Sequence, residues 1–256
     1  GEIQPGKTTI IEPTSGNQGI GLALVGAVRG YDVRIIMPDS VSVERRKICE
    51  AYGAQIELVH DDGDIGKAIE TCAAIAREQT AADPDAFMPD QFSNVDNVAI
   101  QRTQTAVEIL EDAADSGIVI DGFACGFGTG GSLTGIGSAL KEANPATIVW
   151  AAEPENAAML AGGNIGTHLQ MGIGDGVIPA ILDQSVIDAT CVVSDDEAID
   201  MAQRLARDEG LLCGISSGTN VVAALRLGRE LGPDACVLTV LTDTGERYFS
   251  TPLFGE

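Results

Sequence analysis

Between Thr8 and Gln79 the chain alternates short β-branched runs with helix-length segments, and that alternation leaves few folds open to it. TTIIE, DVRIIM and QIELV read as strands, while residues 18–28, the segment SVERRKICEAYG and residues 64–79 read as helices. Strands separated by helices are joined by right-handed crossovers, so they lie parallel in a sheet with helices on its faces. The second half restarts the pattern. A helix over 97–110 leads to a strand at GIVIDGFA, a helix after GTGGS and a strand at TIVWAAEP; after a less regular stretch, 156–184, come a strand at TCVVS, helices over 195–209 and 217–231, and a last strand at CVLTVLT. Polar and turn residues cluster over 93–97, and a boundary there divides the chain into a smaller domain, residues 1–95, and a larger one, residues 96–256. No internal sequence repeat or low-complexity tract is present.

Composition removes several function classes. A formal charge of −23 over 256 residues repels a polyanion across most of the surface, which argues against nucleic acid and anionic membranes as partners. No apolar run reaches the roughly 18–20 residues of a membrane span. Cys49, Cys72, Cys125, Cys191, Cys213 and Cys236 form no C-x-x-C pair and sit mostly in apolar settings, as expected of buried thiols in a reducing cytoplasm. His60 and His168 are the only histidines, and their spacing to the cysteines offers no metal site. Four of the fifteen basic residues are lysines, a bias compatible with a salt-adapted surface and equally with base composition. The start, GEIQPGK, reads as the end of a helix and a turn rather than as a natural beginning.

The chemistry concentrates in turns between strands and helices. After TTIIE comes TSGNQG, where Thr14, Ser15, Gly16, Asn17 and Gln18 occupy the place at which the free N–H groups of a helix point outward, a ready anion site. GFGTGGS places glycines at a second such turn, through which a backbone approaches a phosphate closely. It also satisfies G-x-G-x-x-G, with Glu153 at the end of the next strand, so a nicotinamide-dependent oxidoreductase and a mere packing turn are both alternatives. GISSGTN sets hydroxyls before a third helix, where an ordinary serine cap would look the same. PDQFSN offers Gln91 in what would otherwise be a polar loop. Four such turns on one parallel-sheet chain point to a ligand with a phosphate, a polar ring and a separate carboxylate.

TSGNQG, MPDSVSVERRKICEAYGAQIELV, QFSN, GFGTGGSLTGIG, GIGDGVIP, GISSGTN and TGERYFST, in this order and nearly from end to end, resemble the cysteine synthase (O-acetylserine sulfhydrylase) branch of the fold-type-II pyridoxal-phosphate enzymes. The resemblance implies two three-layer α/β domains of the tryptophan synthase β type, with a pyridoxal 5′-phosphate cleft between them. It implies that Thr14, Ser15, Gly16 and Gln18 bind the substrate carboxylate together with Gln91, that Asn17 also bonds the 3′-oxygen of the cofactor ring, that Gly128, Thr129, Gly130, Gly131 and Ser132 cradle the 5′-phosphate, and that Ser216 meets the pyridine nitrogen. A hydroxyl there does not keep that nitrogen protonated as a carboxylate would, which suits β-elimination. The implied reaction is loss of acetate from O-acetylserine followed by attack of sulfide to give cysteine. A homodimer in the cytoplasm is implied too, with the C-terminal tail of serine acetyltransferase as a partner.

Several positions depart from the family. Val95 and Asp96 follow QFSN where Pro-Ala is usual, Asp175 and Val177 replace a small residue and Phe in GIGDGVIP, and Thr242 stands where Pro is frequent. His168 matches the family's histidine before that loop, and a structural role is favoured for it. Relatives carry the lysine that holds the cofactor upstream of TSGN, ahead of the position of Gly1, and none of Lys7, Lys47, Lys67 and Lys141 fits, so no catalytic residue is identified. The expectation is a trimmed form of a longer cysteine synthase. A cystathionine β-synthase-like enzyme and a non-catalytic protein that keeps the pocket are the alternatives.

Overall fold

The computed structural model describes residues 3–163 and 165–255 and divides the chain into two compact units. One runs up to Gln91 and also takes the segment from Glu246 onward, while the other spans Phe92–Gly245. The sequence places one boundary at 95/96; in the structure the chain leaves the first unit at 91/92 and returns to it at Glu246.

The first unit contains β1 (Thr9–Pro13), α1 (Asn17–Arg29), β2 (Asp32–Pro38), α2 (Val43–Ala51), β3 (Gln55–Val59), α3 (Ile65–Ala82) and the short β4 (Ala86–Phe87). The sheet is parallel throughout, in the order β3-β2-β1-β4. Alternation along β2 explains both of its faces. Val33, Ile35 and Met37 pack with Ile10 of β1 against Ile20 and Ala23 of α1 and Cys49 of α2, whereas Ile36 packs with Ile11 against Cys72 and Ala76 of α3. Ile35, Ile36 and Met37 are fully buried, as a strand covered by helices on both sides requires.

The second unit repeats the plan with no matching sequence repeat. A long helix is built from α4 (Val95–Ile100), a π-helical turn (Gln101–Thr105) and α5 (Ala106–Asp115). Then follow β5 (Gly122–Gly126), α6 (Gly131–Ala143), β6 (Ile148–Pro154), β7 (Ala189–Val193), α7 (Asp195–Glu209), α8 (Ile215–Leu231) and β8 (Val237–Thr239). Its parallel sheet runs β7-β6-β5-β8. Phe123 and Cys125 of β5 point to the face covered by α6, where they meet Leu133, Ile136 and Leu140. The opposite face of β5 reads Gly122, Ala124, Gly126, and those small residues let α8 come close: a Cβ on Gly122 would lie 2.8 Å from Leu227 of α8.

Two strands are shorter than their sequence suggests. GIVIDGFA predicts a strand over 117–124, but β5 starts at Gly122, because residues 116–118 terminate α5: the amides of Ser116, Gly117 and Ile118 bond to Asp112, Ala114 and Ala113, with Gly117 at φ 66°. CVLTVLT yields only three ladder residues, since β8 is an edge strand paired on one side. All six cysteines are free thiols, five of them buried, and burial pushes the Cys125 thiol up to about 12. No helix among the described residues is long and apolar enough to cross a membrane.

Candidate functional site

In each sheet the chain runs outward from a first strand through two neighbours and returns to the other side of that first strand. The strand order therefore reverses between β1 and β4 in one unit and between β5 and β8 in the other. Such switch points leave a crevice beyond the carboxyl ends of the strands, where α/β proteins bind ligands. The turns singled out in the sequence lie at these two places.

At the first switch point, the Thr14 amide extends the sheet by donating to the Ile36 carbonyl at 3.0 Å, and the Thr14 hydroxyl accepts the Gly16 amide at 3.1 Å. Gly16 caps α1, whose first residues are Asn17 and Gln18. A Cβ on Gly16 would lie 2.6 Å from Nε of Arg45, a buried guanidinium behind the loop. Arg45 donates to the Tyr248 hydroxyl at 2.7 Å, and its guanidinium carbon lies 4.6 Å from the centre of that ring. Arg247 donates to Oδ1 of Asn17 at 2.7 Å, and the Ser42 hydroxyl donates to the Arg247 carbonyl at 2.7 Å. The segment that returns from Glu246 thus braces the loop. From the β4 side, Gln91 donates through Nε2 to the Pro13 carbonyl at 3.3 Å. The structure therefore brings Thr14, Ser15, Gly16, Asn17, Gln18 and Gln91 to one sheet end.

At the second switch point, β5 runs into Gly128, Thr129 and Gly130, and Gly130, at φ 84°, opens α6, so Gly131 and Ser132 stand in its first turn. The first-turn amides have no acceptor within the helix and carry the positive end of its dipole. Asn97 of α4 brackets this loop: its Nδ2 donates to the Thr129 hydroxyl at 3.0 Å, and a Cβ on Gly131 would lie 2.1 Å from its Oδ1. Asn220 of α8 joins the two strands that part here, accepting the Gly126 amide at 2.6 Å and donating to the Val240 carbonyl at 2.8 Å. Ser216 is buried in the first turn of α8, which is capped by Gly214. Its hydroxyl lies 2.9 Å from that of Thr242, just beyond β8, and so does not cap its own helix.

Asp175 leans over the same loop: a Cβ on Gly128 would come within 2.9 Å of its Oδ2 and 2.6 Å of the Gly172 carbonyl. Burial pushes its carboxyl up to about 6, against a smaller opposing pull from His168. A carboxyl so readily neutralised is compatible with a neighbouring phosphate, which would favour the protonated form further. His168 holds the loop in shape. Its Nε2 donates to the Gly174 carbonyl at 3.0 Å, and its Nδ1 accepts the Gln170 amide at 3.2 Å. Glu153, which the dinucleotide alternative needs at a ribose, instead accepts the backbone amides of Leu160 and Ala161 at 2.8 and 3.0 Å.

A glycine-lined helix N-terminus in which added Cβ atoms would collide with neighbours, with the buried Ser216 hydroxyl bonded to the exposed Thr242 in the same unit, fits a phosphorylated pyridine: the loop residues would hold the phosphate, and Ser216 the ring. Of the lysines, Lys7, Lys67 and Lys141 sit in ion pairs with Asp85, Asp62 and Asp188, and Lys47 is exposed on α2. No cluster of potential metal ligands occurs among the described residues. Sequence reasoning singled out the turns but missed Asn97, Arg45, Arg247 and Tyr248. QFSN running into a helix start was a signal for Asn97; Arg45, Arg247 and Tyr248 lie in SVERRKICEAYG and TGERYFST, two of the stretches that carry the resemblance, but nothing local showed what they brace.

Residues 2–243 match the family described as "Pyridoxal-phosphate dependent enzyme". The chain is 42% identical over 254 residues to a cysteine synthase of Staphylococcus aureus, covering 99% of this chain and 79% of that protein. Among solved structures, a hydrogen sulfide-producing enzyme of Fusobacterium nucleatum superposes with a TM-score of 0.91 at 38% identity, covering 100% of this chain and 75% of that one. An O-acetylserine-dependent cystathionine β-synthase of Helicobacter pylori does so with a TM-score of 0.90 at 35% identity, covering 97% and 78%.

Proposed function

This chain belongs to the family of pyridoxal-phosphate dependent enzymes, and from that premise we propose that it is a cysteine synthase, which exchanges the acetoxy group of O-acetyl-L-serine for sulfide to give L-cysteine and acetate. The observation that carries the reading is the turn at each switch point: a hydroxyl- and glycine-rich loop braced by Gln91 and Arg247 in one unit, and a glycine-lined helix N-terminus together with the buried Ser216 in the other. When bound, pyridoxal phosphate supplies the electron sink that makes loss of the Cα proton and departure of acetate accessible.

The residues of this chain bind and orient. Gly128, Thr129, Gly130, Gly131 and Ser132 take the phosphate on the first-turn amides of α6. Thr14, Ser15, Gly16 and Gln18 grip the substrate carboxylate with Gln91, and Asn17 sets the ring oxygen. Ser216, its hydroxyl fixed by Thr242, meets the ring nitrogen without charging it. Ser216→Ala is expected to retain the cofactor while shifting its absorption band and slowing turnover about tenfold, the effect of one neutral hydrogen bond of about 1.4 kcal/mol; Ser216→Asp should favour the protonated ring. Identical spectra in all three proteins would remove Ser216 from the ring.

The direct test is cysteine formation from O-acetyl-L-serine and sulfide by the purified protein, run beside O-acetyl-L-serine and homocysteine. The Helicobacter pylori relative favours cystathionine as the second reading, and faster turnover with homocysteine would select it. Cofactor binding with neither product would select a pocket that binds without catalysis, for which the tail of a serine acetyltransferase is the fitting partner. We place the enzyme in the cytoplasm as a homodimer, in keeping with its six free thiols and the resemblance noted above.

A further inference from the structure

At the end of β1 the Glu12 carboxylate is wholly buried, and both of its oxygens hold backbone. Oε2 accepts the Asp90 amide at 2.9 Å, and Oε1 accepts the Gln91 amide at 3.0 Å. Asp90 is the one non-glycine among the described residues with positive φ, at 52°, a conformation uncommon for L residues that aspartate tolerates better than most. A buried carboxylate is costly unless it is well bonded, and an apolar side chain would fill the same space more cheaply. A buried carboxylate, a left-handed turn and Gln91 are therefore joined at one point, two residues from Thr14.

We propose that Glu12 is a positioning residue of the substrate half-site: by gripping two successive amides it holds Asp90 in its left-handed turn and so presents Gln91 to the carboxylate of an amino-acid substrate. The inference rests on the reading of Gln91 as a carboxylate contact. It adds that the contact is governed by a residue that does not touch the substrate. Ionised, Glu12 accepts both amides; protonated, one oxygen becomes a hydroxyl and the two-point grip loses a point. Burial, opposed by the two backbone bonds and aided by charge repulsion from Asp90, pushes this carboxyl up to about 7. Its neighbour in register on β2 is Ile35, and β4 supplies Ala86 and Phe87, so Asp90 is the charged group acting on it among the described residues. Substrate affinity is thus expected to fall as pH drops through the Glu12 titration.

The test combines amide NMR with kinetics on the holoenzyme. The Asp90 and Gln91 amide shifts should titrate together with a midpoint near 7 in the unaltered protein and stay flat in Glu12→Gln. Glu12→Gln keeps one accepting oxygen and turns an NH2 toward the other amide. It should raise KM for O-acetyl-L-serine about tenfold while kcat falls less than about threefold, and should flatten the pH dependence of KM. On a Gln91→Ala background the same change should add little, because its effect passes through Gln91. The proposal is overturned if the two amides do not titrate, or if Glu12→Gln keeps its full penalty without Gln91. Should Glu12→Gln fail to fold, the titration of the unaltered protein decides alone. If the unaltered protein makes no cysteine, the proposed function fails, while the amide titration still reads the grip itself.

Discussion

A Gly130→Val protein is expected to lose pyridoxal-phosphate affinity by at least about a hundredfold while remaining folded. Gly130 caps α6 at φ 84°, where a β-branched side chain is strongly disfavoured, and its Cβ would lie 2.9 Å from the Leu182 side chain. Valine must therefore either move the backbone to negative φ or displace Leu182, and both actions turn the first-turn amides of α6 away from a bound phosphate. Strain of about 1–3 kcal/mol, together with loss of at least one charge-assisted amide bond worth about 1.5–3 kcal/mol, converts to that factor. Equilibrium dialysis against free cofactor measures it. Leu182→Ala added to Gly130→Val separates the causes, since it relieves the collision but not the backbone strain. Affinity like that of the unaltered protein would mean that the phosphate is held elsewhere.

Tyr248→Ala is expected to destabilise the first unit by about 3–5 kcal/mol, the cost of removing a fully buried aromatic ring and leaving a buried guanidinium short of an acceptor. Tyr248→Phe, which keeps the ring against Arg45 and removes only the hydroxyl, should cost about 1–2 kcal/mol. Denaturant titration at a fixed cofactor concentration reads both. Because Arg45 lies directly behind Gly16, Tyr248→Ala should also weaken amino-acid binding at temperatures where the protein is still folded. An alanine variant no less stable than the phenylalanine one would show that the ring contributes nothing.

The legible parts of this protein were those whose cause is local. The alternation of TTIIE, DVRIIM and QIELV with helix-length segments was enough to imply a parallel sheet, because period and length are properties of a short window. TSGNQG and GFGTGGS stood out for the same reason: each sets glycines and hydroxyls between a strand and a helix, where first-turn amides are open to a ligand. Where local signals competed, the reading erred. Residues 117–121 have the composition of a strand, yet the chain uses the first of them to end α5 and leaves Ile118 and Val119 exposed. What could not be read was anything dependent on distance along the chain. Arg45 and Tyr248 are 203 residues apart, and Asn17 and Arg247 are 230 apart. Glu12 looked like the last polar residue of a strand until the loop 78 and 79 residues later closed on it.

The return of the chain to its first unit at Glu246 also bears on how the protein is made. Residues up to Gln91 leave the ribosome ahead of the second unit and can form their sheet, but the supports of the loop over residues 14–18, Arg247 on Asn17 and Tyr248 on Arg45, are synthesised only after the whole of that unit. At about 5–20 residues per second, the roughly 150 intervening residues delay them by about 8–30 seconds. During that interval the Arg45 guanidinium lacks its aromatic cover and the loop lacks its brace. The loop is thus unbraced until the second unit has been translated, and a ribosome stalled within that unit leaves a first unit that is an early target for chaperones and proteases.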